Sequence, residues 1–141
     1  MGLLCETDVA EVRERLEEMA NPVKLVHFTQ EQNLEYGREA RQLLAELAQI
    51  NEKISLAAYD FLIDKDKVAE YAIDKVPATV IRNGKDYGIR FFGLPSGYEF
   101  AALLDAIVAV SKGDSGLKPE SRQKLAQLTQ PLHLQVFTTP T

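Results

Sequence analysis

The stretch that decides the fold is Lys75–Phe100, which reads KVPATVIRNGKDYGIRFFGLPSGYEF. Two apolar, β-branched runs, 77–82 and 87–92, flank the Asn83-Gly84 pair. Asn-Gly between two such runs is a strong signal for a β-hairpin, so we expect two antiparallel strands here. A glycine- and proline-rich turn follows at 93–97. The chain should then enter a helix that runs to about Val110, with Ser96 and Glu99 at capping-box spacing.

The residues before this hairpin predict alternating strands and helices. Apolar, β-rich runs indicate strands at 23–29 and 53–59. Apolar periodicity indicates helices at 8–20, 34–50 and 64–71, with Asp8 and Asn33 as expected caps of the first two. The order from residue 23 to residue 110 is therefore β-α-β-α-β-β-α. It predicts an α/β fold whose mixed four-stranded sheet carries helices on both faces, preceded by an N-terminal helix.

The segment after the helix looks like the start of a second unit. We divide the chain into 1–112 and 113–141, where the second part is a linker, a helix from Pro119 to about Thr129 and a strand at 132–138. At a constant offset of 109, Pro22 matches Pro131 and Phe28 matches Phe137. This match indicates either tandem duplication or two unrelated strand entries. An apolar strand should not stay free, so we expect 132–138 to pair with a sheet edge of this chain or of a neighbour.

Composition excludes several classes of function. The 141 residues contain 16 Lys and Arg against 21 Asp and Glu, whereas nucleic-acid binders usually show a basic stripe. No apolar run approaches the length of a membrane span, and no signal peptide is visible, so we expect a cytoplasmic protein. With Cys5 as the single cysteine and His27 and His133 as the two histidines, we expect neither an intramolecular disulfide nor a zinc site. We also expect no cofactor.

Two stretches beyond the hairpin carry a family resemblance. Together with Gly84–Phe100, the runs Asn21–Val26 and Lys75–Thr79 resemble protein disulfide oxidoreductases of archaea and some bacteria. These are glutaredoxin-like proteins with two thioredoxin-fold units in tandem. A more distant likeness is to the N-terminal domain of the flavoprotein subunit of alkyl hydroperoxide reductase, whose first unit has lost its cysteines. The resemblance implies a thioredoxin fold, and a cis peptide bond at Val76-Pro77 in a groove that receives the substrate.

The resemblance also locates a catalytic motif that this chain lacks. The Cys-x-x-Cys of that family opens the first long helix of the unit, where the helix dipole and free amides lower the pKa of a thiol. The matching positions here are Leu34, Glu35, Tyr36 and Gly37, so neither cysteine is present. Thiol–disulfide exchange therefore cannot take place at these positions.

The resemblance implies a role within a longer protein. The chain would be the redox-degenerate N-terminal unit of a thiol-disulfide oxidoreductase, a scaffold and groove element for a second unit whose Cys-x-x-Cys lies beyond Thr141. Its partners would be that unit and protein thiol or disulfide substrates, with neither nucleic acid nor membrane, and a homodimer stays open. Whether the chain is enzymatic also stays open. The alternatives are a peptide- or protein-docking module with no redox role, and a one-thiol centre at Cys5.

Overall fold

The computed structural model describes residues 2–30 and 35–139. Five helices and four strands alternate along them, in the order that the sequence predicts up to residue 112. The elements are α1 Glu6–Leu16, β1 Val23–Thr29, α2 Glu35–Ile50, β2 Ile54–Asp60, α3 Lys65–Glu70, β3 Ala78–Arg82, β4 Asp86–Phe92, α4 Tyr98–Lys112 and α5 Pro119–Ala126.

The four strands form one mixed sheet in the order β2-β1-β3-β4. The β1 and β2 strands are parallel, with Val23 opposite Ile54, because α2 returns the chain to the same end of the sheet. The other two pairings are antiparallel, and the β3–β4 hairpin turns at Asn83-Gly84 as predicted. This architecture confirms the predicted thioredoxin fold with its preceding helix.

Three helices cover one face of the sheet. Alternation along β1 points Val23 and Leu25 toward α1, α2 and α4, where they enter the main hydrophobic core. The helices supply this core from one apolar face each, through Val12, Leu16, Leu44, Leu47, Leu103 and Ile107. This packing holds α1, α2 and α4 against the face of the sheet that carries Val23 and Leu25.

The short helix α3 and its flanks cover part of the opposite face. Val26 and Phe28 of β1 pack here with Tyr71, Ile73 and Val80. The ring of Phe28 lies 5.6 Å from that of Tyr59 and 5.7 Å from that of Tyr71, in tilted and edge-on geometries that aromatic pairs favour. The prediction of helices on both faces is therefore confirmed.

The ends of two helices differ from prediction. Helix α1 begins at Glu6 rather than Asp8, and its N-cap is Cys5. Asp8 is the third residue of the helix, and its carboxylate accepts the backbone N–H of Cys5 at 3.0 Å, as in a capping box. The helix ends at Leu16 rather than residue 20. Helix α4 has Gly97 as its N-cap, with φ of +61°, and the expected Ser96–Glu99 capping box does not form there. The expected cap at Asn33 lies outside the described residues.

The segment after α4 also differs from prediction. Helix α5 is present but contributes no buried residue. Residues 132–138 are not a strand, and their apolar side chains are exposed, up to 89% for Phe137. A β-strand is defined by its hydrogen bonds to an adjacent strand. Among the described residues, no strand pairs with this segment. The expected pairing within this chain is therefore wrong.

Candidate functional site

The candidate site lies at the end of the sheet where β1, β2 and β4 finish and β3 begins. We call this the motif end. Helix α2 starts here at Glu35, and the positions of the missing motif fall on its first turn. Tyr36 is 62% exposed, and Gly37 is buried. Leu34 lies outside the described residues. Neither of these two described residues can carry out thiol–disulfide exchange, because neither carries a thiol.

The peptide bond between Val76 and Pro77 is cis. It joins the loop after α3 to β3, whose first residue, Ala78, is fully buried. The carbonyl oxygen of Pro77 accepts the backbone N–H of Gly93 at 2.8 Å, which ties the loop to the end of β4. Val76 packs against the second core cluster. Of the two residues expected to line a substrate groove, Pro77 is therefore bound to the end of β4 and Val76 is packed against the second core cluster.

His27 lies between the first turn of α2 and the start of β3. It lies on β1 directly opposite Thr79 of β3, and its Nδ1 is 3.1 Å from the Thr79 hydroxyl oxygen. Both side chains are fully buried on the face that α2 covers. The ring also meets the backbone of Gly37 and of Ala78. One buried side chain therefore contacts both the first turn of α2 and the start of β3.

Burial lowers the pKa of His27 to about 4. The positive charge of Arg41, on the next turn of α2, acts in the same direction, and the backbone of Gly37 and Ala78 partly opposes it. The ring is consequently neutral at physiological pH, with one nitrogen as donor and the other as acceptor. Its Nε2 has no partner with hydrogen-bond geometry among the described residues. The sequence interpretation of His27 as a hydrogen-bonded core residue agrees with this arrangement.

Large apolar side chains are exposed around the same end of the sheet. Each stands where an element begins or ends there, and together they form what we call the apolar rim: Tyr36, Leu62, Ile63, Phe92 and Tyr98. The backbone N–H of Phe61 donates to the carbonyl of Thr29 at 2.8 Å, which holds the Leu62–Ile63 turn against the end of β1. Sequence reasoning missed this rim, although apolar residues at the ends of four predicted elements were a usable signal.

The single cysteine belongs to another part of the molecule. Cys5 is exposed and caps α1, and its Sγ lies 2.9 Å from the hydroxyl oxygen of Thr7. Within the described ranges, no three His, Cys, Asp or Glu side chains are grouped so that they could hold a metal ion. No helix among the described residues is both long and apolar enough to cross a bilayer.

Curated proteins that match this chain include AhpF subunits of alkyl hydroperoxide reductase. The chain is 29% identical to the AhpF subunit of alkyl hydroperoxide reductase from Staphylococcus epidermidis over 110 residues, which is 74% of this chain and 18% of that protein. It is 28% identical to the same subunit of Staphylococcus aureus over 112 residues, which is 76% of this chain and 19% of that protein. The chain therefore spans about a fifth of the length of these curated relatives. No family model matches it.

Solved structures match AhpF again and add a protein disulfide oxidoreductase. The AhpF subunit of alkylhydroperoxide reductase from Enterococcus faecalis superimposes with a TM-score of 0.79 at 25% identity, over 89% of this chain and 61% of that one. A protein disulfide oxidoreductase from Aeropyrum pernix superimposes with a TM-score of 0.77 at 27% identity, over 88% of this chain and 55% of that one. Thioredoxin of Fasciola hepatica shares the fold alone, at 22% identity and a TM-score of 0.53. The unit is thus thioredoxin-like and related to thiol oxidoreductases, and it contains one cysteine.

Proposed function

We propose that this chain is a non-catalytic thioredoxin-fold unit of a longer thiol-disulfide oxidoreductase. It serves as a scaffold and as part of the substrate groove for a second unit, which carries the active Cys-x-x-Cys beyond Thr141. One observation carries the proposal: the buried His27 connects the first turn of α2 with the start of β3, directly after Val76-Pro77, while the described motif positions Tyr36 and Gly37 have no thiol. Such a unit would keep the fold of the site without its thiol chemistry. We place the protein in the cytoplasm, where thiols stay reduced.

The alignment with the protein disulfide oxidoreductase supports a tandem arrangement, because it covers most of this chain but little more than half of the other. This chain aligns with 55% of a protein disulfide oxidoreductase chain, which leaves room in that protein for a second unit. The exposed apolar residues of α5 and of 132–138 have no cover among the described residues, and a packed second unit would bury them. We therefore keep 113–141 as the linker, helix and first segment of that second unit.

A direct test begins with the gene. Sequencing past the codon of Thr141 should show a Cys-x-x-Cys within the next unit, and a following unit without that pair would contradict the proposal. In the two-unit protein, replacing those cysteines with serine should abolish the reduction of a disulfide substrate. Ile63→Asp in the present unit should raise KM while kcat stays close to wild type, because the rim contacts substrate without taking part in the chemistry. The matched control is Leu117→Asp, which adds the same charge at an exposed leucine after the end of α4, at the opposite end of the sheet.

The apolar rim favours one alternative, a docking module with no redox role. Exposed apolar residues grouped around one site indicate contact with another chain, and the Val76-Pro77 turn lies beside the site. If the following unit lacks cysteines, an extended apolar peptide should still shift the amide resonances of Tyr36 and Phe92. A peptide that shifts neither resonance would exclude this alternative.

A further inference from the structure

The end of the sheet opposite to the motif end carries a basic depression. It has a volume of about 620 Å³ and is lined by residues from the start of β1, the hairpin turn and the end of α4. Lys24, Lys85 and Lys112 stand around it with Ser55 and Asn83, and none of its described lining residues is Asp or Glu. In a chain with more acidic than basic residues, such a grouping concentrates positive potential at one place.

The charges around this depression repel one another. Lys24 of β1 pairs directly with Arg82 of β3, so the two cations share one face of the sheet. Directly opposed side chains have Cβ atoms about 4.5–5.5 Å apart, and like charges there are destabilising. Asp86, the register partner of Arg82, attracts Arg82 at longer range, but its ion pair is with Arg90 at 2.7 Å. Among the described residues, Lys24, Arg82 and Lys85 have no carboxylate within ion-pair distance, so an anion from outside would relieve this repulsion.

An apolar slot of about 250 Å³ adjoins the depression at Gly113. Tyr87, Ile89 and Val110 line it, and the ring of Tyr87 is partly exposed. Asp114 stands at its edge, where its carboxylate is paired with Arg122 at 2.6 Å. Lys85 lies over that ring, with its Nζ 5.2 Å from the ring centroid. A cationic surface and an apolar surface are therefore adjacent at this end of the molecule.

We propose that this surface binds an acidic peptide segment of a partner protein, with carboxylates over the lysines and one apolar side chain in the slot. A carboxylate already occupies one part of the surface, since Glu18 accepts from Lys112 at 2.7 Å. A bare phosphate fits less well, because it would leave the apolar slot empty. The guanidinium of Arg82, the group best shaped for phosphate, is turned to the Tyr71 hydroxyl at 2.9 Å and to the carbonyl of Asn83 at 3.2 Å.

The surface lies at the opposite end of the sheet from the motif positions, so it is independent of the proposed function. Binding here needs neither a thiol nor the Val76-Pro77 turn. Electrostatic attraction should speed association and weaken with salt, while the apolar anchor should set how long the peptide stays.

The test uses the 141-residue chain and a short fluorescein-labelled peptide of glutamates with one central phenylalanine. Fluorescence anisotropy should show saturable binding that weakens as NaCl rises from about 50 to about 300 mM. The amide resonances of Lys24, Ser55, Lys85 and Gly113 should shift in the same titration. Lys24→Glu with Lys85→Glu should weaken binding by about tenfold or more, because attraction is replaced by repulsion.

The matched control reverses the same number of charges at the motif end, with Lys65→Glu and Lys75→Glu, and should change affinity by less than about twofold. Tyr87→Ala, or serine in place of the peptide's phenylalanine, should also weaken binding. Equal losses in the two double variants would overturn the proposal, because attraction would then come from net charge. Sodium tripolyphosphate binding as tightly as the peptide, with no effect of Tyr87→Ala, would overturn it in favour of a small-anion site.

Discussion

The Nδ1 atom of His27 lies 3.1 Å from the hydroxyl oxygen of Thr79, and both side chains are fully buried beneath the first turn of α2. This polar pair lies on the face of the sheet where α1, α2 and α4 pack mainly aliphatic side chains. It stands where the two halves of the candidate site meet. Its protonation and its hydrogen bond therefore connect the stability of the unit to the geometry of the site.

The first prediction concerns pH. Because the pKa of His27 is about 4 in the fold and 6.5 ordinarily, the unfolded chain binds more protons between these values. The contribution of His27 to stability is complete above pH 6.5 and decreases as pH falls toward 4. The change should be about 3 kcal/mol in the free energy of unfolding. Urea titrations at several pH values should show this slope in the wild type and lose it in His27→Leu. His133→Gln, at an exposed position, should keep it; an unchanged slope in His27→Leu would contradict the assignment.

The second prediction separates the two partners of the pair. Thr79→Val removes the hydroxyl and leaves both ring nitrogens of His27 without a side-chain partner, so it should cost about 1–3 kcal/mol of unfolding free energy. His27→Leu should cost less, because it also removes the unpaired Nε2. The double variant should lose less unfolding free energy than the two single variants lose together, because replacing both residues leaves neither polar group unpaired. Additive costs would show that the hydrogen bond does not couple the two residues.

The third prediction concerns redox activity. The isolated 141-residue chain should reduce insulin no faster than its Cys5→Ser variant, because the described motif positions Tyr36 and Gly37 carry no thiolate. A turbidity assay with dithiothreitol as electron donor measures this, with a cysteine-containing thioredoxin as the positive reference. Activity that disappears with Cys5→Ser would assign a one-thiol role to Cys5. Turnover that persists in that variant would contradict the loss of the motif itself.

Sequence patterns predicted the sheet because its signals are local. Asn83-Gly84 requires a tight hairpin, and alternation along Val23–Thr29 requires a buried central strand. The pairing of His27 with Thr79 was not predictable in the same way, because it depends on the register between strands that are 52 residues apart in sequence. The basic depression likewise combines residues from four separate parts of the chain. Capping failed as a guide at Ser96, where Gly97 with its positive φ begins the helix instead.

The fourth prediction concerns the Asp86–Arg90 pair of β4. Arg90 donates two hydrogen bonds to the Asp86 carboxylate, which lowers the pKa of Asp86 to about 2. This ionised form stabilises the fold above the ordinary pKa of 3.8, and the contribution is lost as pH falls toward 2. Asp86→Asn should therefore cost up to about 2 kcal/mol at pH 7 and much less near pH 2. Asp74→Asn, at an exposed carboxylate, is the matched control and should have little effect; equal costs for the two variants would contradict a specific role for the pair.

The last prediction concerns the segment after α4. Helix α5 buries no side chain, and the residues after it are exposed through the described part of the segment. Removing 118–141 should therefore change the free energy of unfolding of the thioredoxin-fold unit by less than about 0.5 kcal/mol, the range of surface changes. Trypsin should cut the full chain first at Arg122 or Lys124, before any site in α2 or α4, because proteases act on exposed and weakly packed segments. Chemical denaturation of the full and shortened chains, followed by mass spectrometry of the early fragments, measures both effects. A large loss of stability on truncation would mean that this segment packs against the unit in solution, and the assignment of 113–141 to a second unit would then be wrong.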